Sequence, residues 1–201
     1  WRGSEAVVIK PANGSEERFD HVVFACHSDQ ALRLLADETP TERKVLSAFP
    51  YGRNEAVLHT DSSLLPLRRG AWASWNYLVP ESARRESAPA TLTYCMNILQ
   101  RLQSRHTLCV TLNADDLIDP ARVLGRFVYE HPVFSIGRAA MQARHRELQF
   151  ANRSSFCGAY WGNGFHEDGV VSAMAVAKAV NEFGRPSSTE LSRGGVLEAA
   201  T

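Results

Sequence analysis

The residues with the clearest chemical potential lie in one glycine-rich stretch near the end of the chain, GNGFHEDGVV. Gly162, Gly164 and Gly169 interrupt this stretch, and small and apolar residues follow it. If a helix begins here, the backbone N–H groups of Gly169, Val170 and Val171 lie in its first turn and lack intrahelical partners. At the positive end of a helix dipole, such groups bind a phosphate, a carbonyl oxygen or a ring nitrogen.

The same stretch also fits a plain turn. Asp168 is a good N-cap, Gly162 and Gly164 suit a tight turn, and Phe165 reads as a core residue. The glycine spacing is not GxGxxG, and the HED triplet is not HExxH, so we predict no metal site. From these residues alone, a ligand-binding helix start and a structural turn both remain open.

Composition narrows the class of protein. Lys plus Arg and Asp plus Glu each number 22 in 201 residues, so the chain has no basic excess of the kind that nucleic-acid binders show. The four cysteines are widely spaced and lack zinc spacing, which favours reduced thiols and a cytoplasmic protein. No apolar run approaches the ~20 residues of a membrane span. The chain starts at Trp1 inside a strand-like pattern, so we expect a piece of a longer protein.

The glycine stretch depends on α/β elements at both ends of the chain. EAVVIKPANGSEERFDHVVFAC contains two β-rich runs separated by Pro11, Asn13 and Gly14, which is a hairpin-like pattern. The second run, residues 22–25, predicts a strand covered on both faces, and a helix capped at Ser28 or Asp29 follows it. TPTERKVLSAF predicts a second helix, with Thr41 as its cap. Near the end, AAMQARHREL predicts a helix, LQFANRSSFCGAY a strand, and residues 170–182 a helix that Gly184 and Pro186 stop.

The middle of the chain has a different pattern. RNEAVLHTD, GAWASWNYLV, ATLTYCMNIL and HTLCVTLNA, with a further strand over 125–129, predict an antiparallel and mainly up-and-down sheet. Alternation in AWASWNYLV places Trp72 on one face and Trp75 and Tyr77 on the other. The order α/β, antiparallel β, α/β is most simply explained by a middle domain inserted into an interrupted outer domain.

Several segments resemble a known family. FCGAYWGNGFHEDGVVSAMAVAKAV resembles the C-terminal FAD-binding segment of flavin-containing amine oxidases and their desaturase relatives. That segment reads Phe-Ala-Gly, an acidic residue, a variable loop and a helix start of small residues. RNEAVLHTD, WASWNY, TYCMNILQ, VTLNA and HPVF, in this order, resemble a bacterial group of NAD/FAD-binding, amine-oxidase-like proteins. The resemblance covers about residues 1–183.

The resemblance implies a fold and its division into domains. The fold class would be α/β (α+β), with a partial FAD-binding Rossmann-like domain interrupted by an antiparallel substrate-binding domain. Residues 1–40 and 119–183 would belong to the FAD-binding domain, residues 41–118 would bind substrate, and residues 184–201 would form a flexible tail.

The resemblance also implies roles for individual residues. Gly158 would let FAD oxygens approach the backbone, Gly169 and Val170 would direct helix N–H groups at the flavin ring, and His166 would lie near the ring as the candidate catalytic residue. The residues expected to bind FAD are Gly158, Ala159, Gly164, Phe165, Asp168, Gly169, Val170 and Val171. Those expected to line an apolar substrate pocket, with ordinary sheet packing as the alternative, are Trp72, Trp75, Tyr77 and Tyr94.

The chain departs from the family pattern in two places. Ala159 and Tyr160 stand where the family carries an acidic residue that holds a cofactor hydroxyl, so that contact does not carry over. The strand–GxGxxG–helix that binds the ADP half is also absent, and we expect it in an N-terminal half that precedes Trp1.

Two function classes follow. In the first, the chain is the C-terminal part of an FAD-dependent oxidoreductase that takes a hydride from an apolar or amine substrate, with peripheral membrane or lipid contact and no nucleic acid. In the second, the chain is a non-catalytic folded module without tight FAD binding. A nicotinamide-dependent Rossmann enzyme would need a complete βαβ unit at the glycine stretch, and too few residues follow it. The substrate, the electron acceptor and the oligomeric state stay open.

Overall fold

The described chain contains both helices and strands, without strict alternation. The computed structural model describes residues 1–79 and 91–183, and the expected tail and the stops at Gly184 and Pro186 lie outside them. The elements are β1 (Val7–Ile9), β2 (Glu17–Phe19), β3 (Val22–Phe24), α1 (Ser28–Leu34), α2 (Pro40–Leu46), β4 (Tyr51–His59), β5 (Trp75–Leu78), β6 (Thr91–Cys95), α3 (Met96–Leu99), β7 (Cys109–Leu112), β8 (Val123–Pro132), α4 (Arg138–Gln142), β9 (Ser154–Phe156) and α5 (His166–Phe183). The mixed α+β class expected from the sequence is confirmed.

The chain divides into two units, with boundaries other than the expected 41–118. The first unit contains Trp1–Tyr51 and Pro132–Thr201, and the second contains Gly52–His131. Helix α2 therefore belongs to the first unit and strand β8 to the second. The sequence placed the boundary at the change from helix to strand patterns, whereas the chain passes between the units inside β4 and at the end of β8.

The first unit has two small sheets beside a helical core. Strand β1 pairs antiparallel with β2 and not with the run over 22–25 that the hairpin-like pattern predicts. Strand β3 instead pairs parallel with β9, in register from Val22 opposite Ser154 to Phe24 opposite Phe156, and the exposed Val23 shows that it is not covered on both faces as predicted. Parallel pairing brings together residues more than 130 positions apart in sequence, so the N- and C-terminal parts of the chain form one unit. The buried core residues are Ala31, Val45, Leu46, Phe49, Leu148, Phe156 and Tyr160.

Helix α2 begins two residues earlier than the sequence predicts. Thr39, not Thr41, is the N-cap: its hydroxyl accepts the N–H of Glu42 at 3.2 Å, and the Glu42 carboxylate accepts the N–H of Thr39 at 2.8 Å. This is a capping box. Pro40 occupies the first helical position, where its fixed φ and missing N–H suit a helix start. Helix α1 likewise starts at Ser28 with His27 as the N-cap, not Ser28 or Asp29.

A buried ion network joins distant segments of the first unit. The guanidinium of Arg2 contacts the Asp37 carboxylate, with Nε to Oδ1 at 3.0 Å, and the Glu42 carboxylate, with Nη2 to Oε2 at 2.9 Å. It also donates to the hydroxyl of Ser154 at 2.8 Å. Arg2 and Glu42 side chains are almost fully buried, and contact with Arg2 lowers the pKa of Glu42 against the raising effect of burial. The network fixes the start of the chain to α2 and β9.

The second unit contains one five-stranded sheet in the order β5-β6-β7-β4-β8. Strands β5, β6 and β7 form an antiparallel meander, and β4 pairs antiparallel with β7. The predicted strands are present, but β4 lies between β7 and β8, so the order is not purely up-and-down.

One face of this sheet carries a buried polar chain. His59, Thr111 and Thr93 are all at most 1% exposed. The Nε2 of His59 lies 2.7 Å from the Thr111 hydroxyl, which lies 2.9 Å from the Thr93 hydroxyl. The N–H of Asp61 donates to Nδ1 of His59 at 3.2 Å, so Nδ1 must be an acceptor and the imidazole proton is on Nε2. Burial lowers the pKa of His59.

Other structural features bear on the expected class. All four cysteines are free thiols, and burial raises the pKa of Cys109 to about 12. Among residues 1–79 and 91–183, no helix combines the length and apolar character needed to cross a bilayer. Within the same described ranges, no group of three or more His, Cys, Asp or Glu side chains is arranged to hold a metal ion.

Candidate functional site

The last helix starts earlier than the glycine pattern predicts. Helix α5 begins at His166, and the N–H of Gly169 already donates to the carbonyl of Phe165 at 3.3 Å. The expectation that Gly169, Val170 and Val171 present free N–H groups is therefore wrong. The amides that precede the first α-helical hydrogen bond belong to residues 166–168, one turn closer to the glycine loop.

Asp168 closes the glycine loop onto this helix start. One of its carboxylate oxygens accepts the N–H groups of Asn163 and Phe165, each at 2.9 Å. The same carboxylate leaves no room at Gly162, where a Cβ atom would lie 2.2 Å from Oδ1 of Asp168. Gly164 has φ +88, a conformation that favours glycine. Asp168 is therefore the third residue of α5 and not the N-cap that the turn interpretation predicts, although its carboxylate accepts backbone N–H groups that precede the helix.

The end of β9 is attached to α5 through one serine. The N–H of Gly158 donates to the Ser172 hydroxyl at 2.9 Å, and that hydroxyl lies 3.1 Å from the Gly158 carbonyl and 2.8 Å from the Gly169 carbonyl. Gly158 has φ +156, and a Cβ atom there would lie 2.6 Å from the ring of Tyr160. Packing against Tyr160 and bonding to Ser172 thus explain this glycine without a cofactor.

Two side chains of α4 that the sequence analysis did not identify, Arg138 and Gln142, hold the loop between β9 and α5 by hydrogen bonds. Arg138 donates to the carbonyls of Tyr160 and Gly162 at 3.3 and 2.7 Å, and Gln142 donates to the same two carbonyls at 2.9 and 2.7 Å. Arg138 is 4% exposed, its guanidinium lies 4.1 Å from the ring centroid of Phe134, and burial lowers its pKa. The only sequence signal was their spacing on α4, where i and i+4 share one helix face.

The surface at the start of α5 is exposed and apolar. Phe165, Val170 and Val171 are each more than half exposed, and His166 is exposed at the first helical position. A Cβ atom at Gly169 would have no neighbour closer than 3.8 Å, so this glycine is not required by packing within the described residues. Phe165 is not the core residue that the turn interpretation predicts. Tyr160, at the end of the stretch predicted as a strand, lies in a short helical turn and is buried in the core beside Phe49.

Three of the four predicted aromatic residues share one face of the second unit's sheet. Trp75 lies directly opposite Tyr94, with ring centroids 5.6 Å apart in an edge-to-face arrangement, and Tyr77 is two residues along the same strand. Trp75 and Tyr77 are at least half exposed. Trp72 instead packs on the other side, against Leu65 and the buried cysteines, and its indole N–H donates to the Pro66 carbonyl at 2.8 Å.

Comparison with known proteins identifies a solved structure with a similar fold. The sequence matches no protein-family model and no curated protein. Among solved structures, a CLA-producing fatty acid isomerase from P. acnes is similar over 90% of this chain, with a TM-score of 0.58 and 13% sequence identity. The chain spans 45% of the length of that isomerase. At this identity the similarity shows a shared fold.

Proposed function

We propose that the chain forms part of an FAD-dependent oxidoreductase related to flavin-containing amine oxidases and desaturases. The first unit would be part of a Rossmann-like FAD-binding domain and the second would bind an apolar or amine substrate. The observation that carries the proposal is the start of α5, where the first-turn N–H groups of residues 166–168, which have no intrahelical acceptor, lie beside exposed apolar residues. The order of segments resembling that family supports it, as does the fold shared with the fatty acid isomerase.

The residues at the start of α5 fit one part of the cofactor better than another. The open space beside Gly169, the apolar side chains of Val170 and Val171, and the positive end of α5 suit a flat ring that carries negative charge at one edge. The backbone of Gly158 suits the cofactor's hydroxyls and phosphates less well, because its polar groups already bond to Ser172. When bound, FAD would accept a hydride from the substrate.

The chain's own residues would bind and position the reactants. The dipole of α5 would stabilise negative charge beside its first turn, and His166 would offer an exposed imidazole there. Trp75, Tyr77 and Tyr94 would give an apolar substrate an aromatic surface. An extended acyl chain, as in the fatty acid of the isomerase, fits that surface as well as an apolar amine does.

A FAD titration of the purified chain tests the proposal. We expect flavin absorbance and fluorescence changes on binding, and we expect Gly169→Ala to weaken binding by roughly tenfold or more, because a methyl group placed in an occupied site costs about 1–3 kcal/mol. Thermal stability should be unchanged or higher, since alanine is the better helix former. The matched control is Gly70→Ala, where no atom lies within 4 Å of a Cβ.

The second candidate function, a non-catalytic association module, is favoured by the edge of β3. The Val22 N–H donates to the carbonyl of Arg153 and the Phe24 carbonyl accepts from Cys157, so the polar groups of Val23 point away from β9. Beside that edge is a largely apolar groove of about 530 Å³. A further polypeptide segment, the N-terminal half expected from the sequence, would bind here. A chain that leaves the FAD spectrum unchanged would leave only this function.

A further inference from the structure

The second unit has a cleft that plays no part in the proposed oxidation. It has a volume of about 200 Å³ and is formed by the turn at Arg69–Ala71, helix α3 and the loop that follows α3. The lining residues that matter here are Arg69, Trp72, Asn97, Ile98, Arg105 and His106. Two arginine-containing segments, LRRG and RLQSRHT, are 30 residues apart in sequence and meet at this cleft.

Hydrogen bonds hold the cleft in shape. The Trp72 indole is fixed by its bond to Pro66, and the Arg69 guanidinium lies 5.4 Å from the centroid of the Trp72 ring. The Asn97 carboxamide accepts the N–H of Leu108 at 2.7 Å and donates to the carbonyl of His106 at 3.1 Å. The positions of both walls are therefore determined by the fold, while the ends of the arginines remain at the surface.

Among the described residues, the segments that form the cleft carry formal charge of one sign. Residues 62–79 and 91–114 contain Arg68, Arg69, Arg101 and Arg105 but no aspartate or glutamate, although the whole chain is neutral. Among the described residues, none of these four arginines forms an ion pair, whereas Arg53, Arg122 and Arg126 of the same unit each pair with a carboxylate. The cleft therefore presents uncompensated positive charge, which attracts anions.

Exposed aliphatic side chains accompany this charge. Leu67 is fully exposed beside Arg68, and Ile98, Leu99 and Leu102 are each more than a third exposed around α3. Binding of a soluble anion or of nucleic-acid phosphates depends on charged and polar groups and gains nothing from exposed aliphatic side chains. Aliphatic residues among arginines are the combination that inserts into the interface of an anionic bilayer.

We propose that this arginine–leucine surface, made of Leu67–Arg69 and residues 98–106, binds the face of an anionic phospholipid membrane. A headgroup phosphate would lie in the cleft between Arg69 and Arg105, and Leu67 and Leu102 would enter the headgroup region. Binding would bring the chain to a membrane surface without a spanning helix. The proposal does not depend on FAD binding, so either can fail alone.

Co-sedimentation with lipid vesicles tests the proposal. We expect the chain to bind vesicles of phosphatidylcholine with one third phosphatidylglycerol, to ignore pure phosphatidylcholine, and to dissociate as salt rises. The double variant Arg69→Gln with Arg105→Gln should bind about thirtyfold more weakly, because each arginine near such a surface contributes about fivefold in affinity. The double variant Leu67→Ser with Leu102→Ser should also weaken vesicle binding. This loss should appear even at low salt, because it removes apolar contacts and leaves the charge unchanged.

The control removes the same charge elsewhere. Arg53→Gln with Arg126→Gln alters two exposed, ion-paired arginines of the same unit and should leave vesicle binding within about twofold. An equal loss in this control would show that only net charge matters and would overturn the proposal. So would equal binding to neutral vesicles, or no binding to any vesicle. Displacement by inorganic phosphate or a DNA oligonucleotide, with no effect of the leucine substitutions, would indicate a soluble anion or nucleic-acid site instead.

Discussion

The buried imidazole of His59 connects three strands of the second unit through its hydrogen bonds, and these bonds require the neutral ring. Its Nδ1 accepts a backbone N–H and its Nε2 proton continues through two threonine hydroxyls, so the neutral ring satisfies every neighbour. A protonated ring would direct a second N–H at the Asp61 N–H. The sequence showed a strand ending in His59, but the partners come from β6 and β7, which no local pattern identifies.

This arrangement predicts a pH dependence of stability. The pKa of His59 is lowered in the folded state, so the unfolded chain takes up the proton first as pH falls below the ordinary value of 6.5. The free energy of unfolding should therefore be highest above pH 6.5 and decrease below it.

His59→Gln should make that decrease shallower in urea titrations at a series of pH values. His21 and His145, whose pKa values burial also lowers, should retain their own share. An unchanged slope in His59→Gln, or the same change in the exposed-residue control His166→Gln, would contradict this.

At the scale of single elements, the sequence predicted that a helix is present better than it predicted the residue at which the helix begins. Helix α5 was expected from residue 170 because Gly169 looked like a helix start, yet Asp168 and Gly162 fit so closely that the helix begins at His166. Thr39 caps α2 because Pro40 is a good first helical residue. Such choices depend on side-chain geometry at the termini, whereas the periodicity of apolar residues marks only the middle of a helix.

The ion network around α2 predicts a large and partly reversible loss of stability. Arg2→Met would leave the Glu42 carboxylate buried without its charged partner, which costs about 3–5 kcal/mol of unfolding free energy. Adding Glu42→Gln, which keeps the capping geometry at Thr39 but removes the charge, should recover part of that loss in urea denaturation. Arg33→Met, at an exposed i, i+4 pair, is the matched control and should cost less than about 1 kcal/mol. A double variant less stable than Arg2→Met alone would show that the charge of Glu42 is not the cause.

At the scale of the whole molecule, residue patterns predict the order of the α/β and β segments along the chain but not which strands pair. Nothing local indicates that β3 pairs with β9 or that β4 lies between β7 and β8, because both pairings join residues far apart in sequence. For the candidate site, too, local patterns indicate a stretch of the chain but not the contacts that the stretch makes. The sequence points to residues 158–171 as the candidate site, which stays a prediction, but the bonds of Gly158 to Ser172 and the support from Arg138 exist only in the folded chain.

The open edge of β3 predicts self-association of the isolated chain. Val23 is 43% exposed, and its backbone N–H and C=O, which have no partner among residues 1–79 and 91–183, lie beside an apolar groove. Such edges pair with other strands. We expect the sedimentation coefficient to rise with protein concentration and Val23→Lys to suppress that rise. Val180→Lys is the matched control, since Val180 is a valine of similar exposure on a helix. Association that persists in Val23→Lys, or disappears equally in Val180→Lys, would place the contact elsewhere.

The serine between β9 and α5 has a consequence for the rotation of that helix. The buried side of α5 offers Ser172 and Val176, while its outer side carries Val170, Val171 and Met174, so both sides are apolar. Hydrophobicity alone gives such a helix little preference for one rotational phase about its axis. The bonds of Ser172 to Gly158 supply that preference, because a shift of one residue turns the hydroxyl away by about 100°. One hydroxyl thereby determines which residues α5 places on its exposed side.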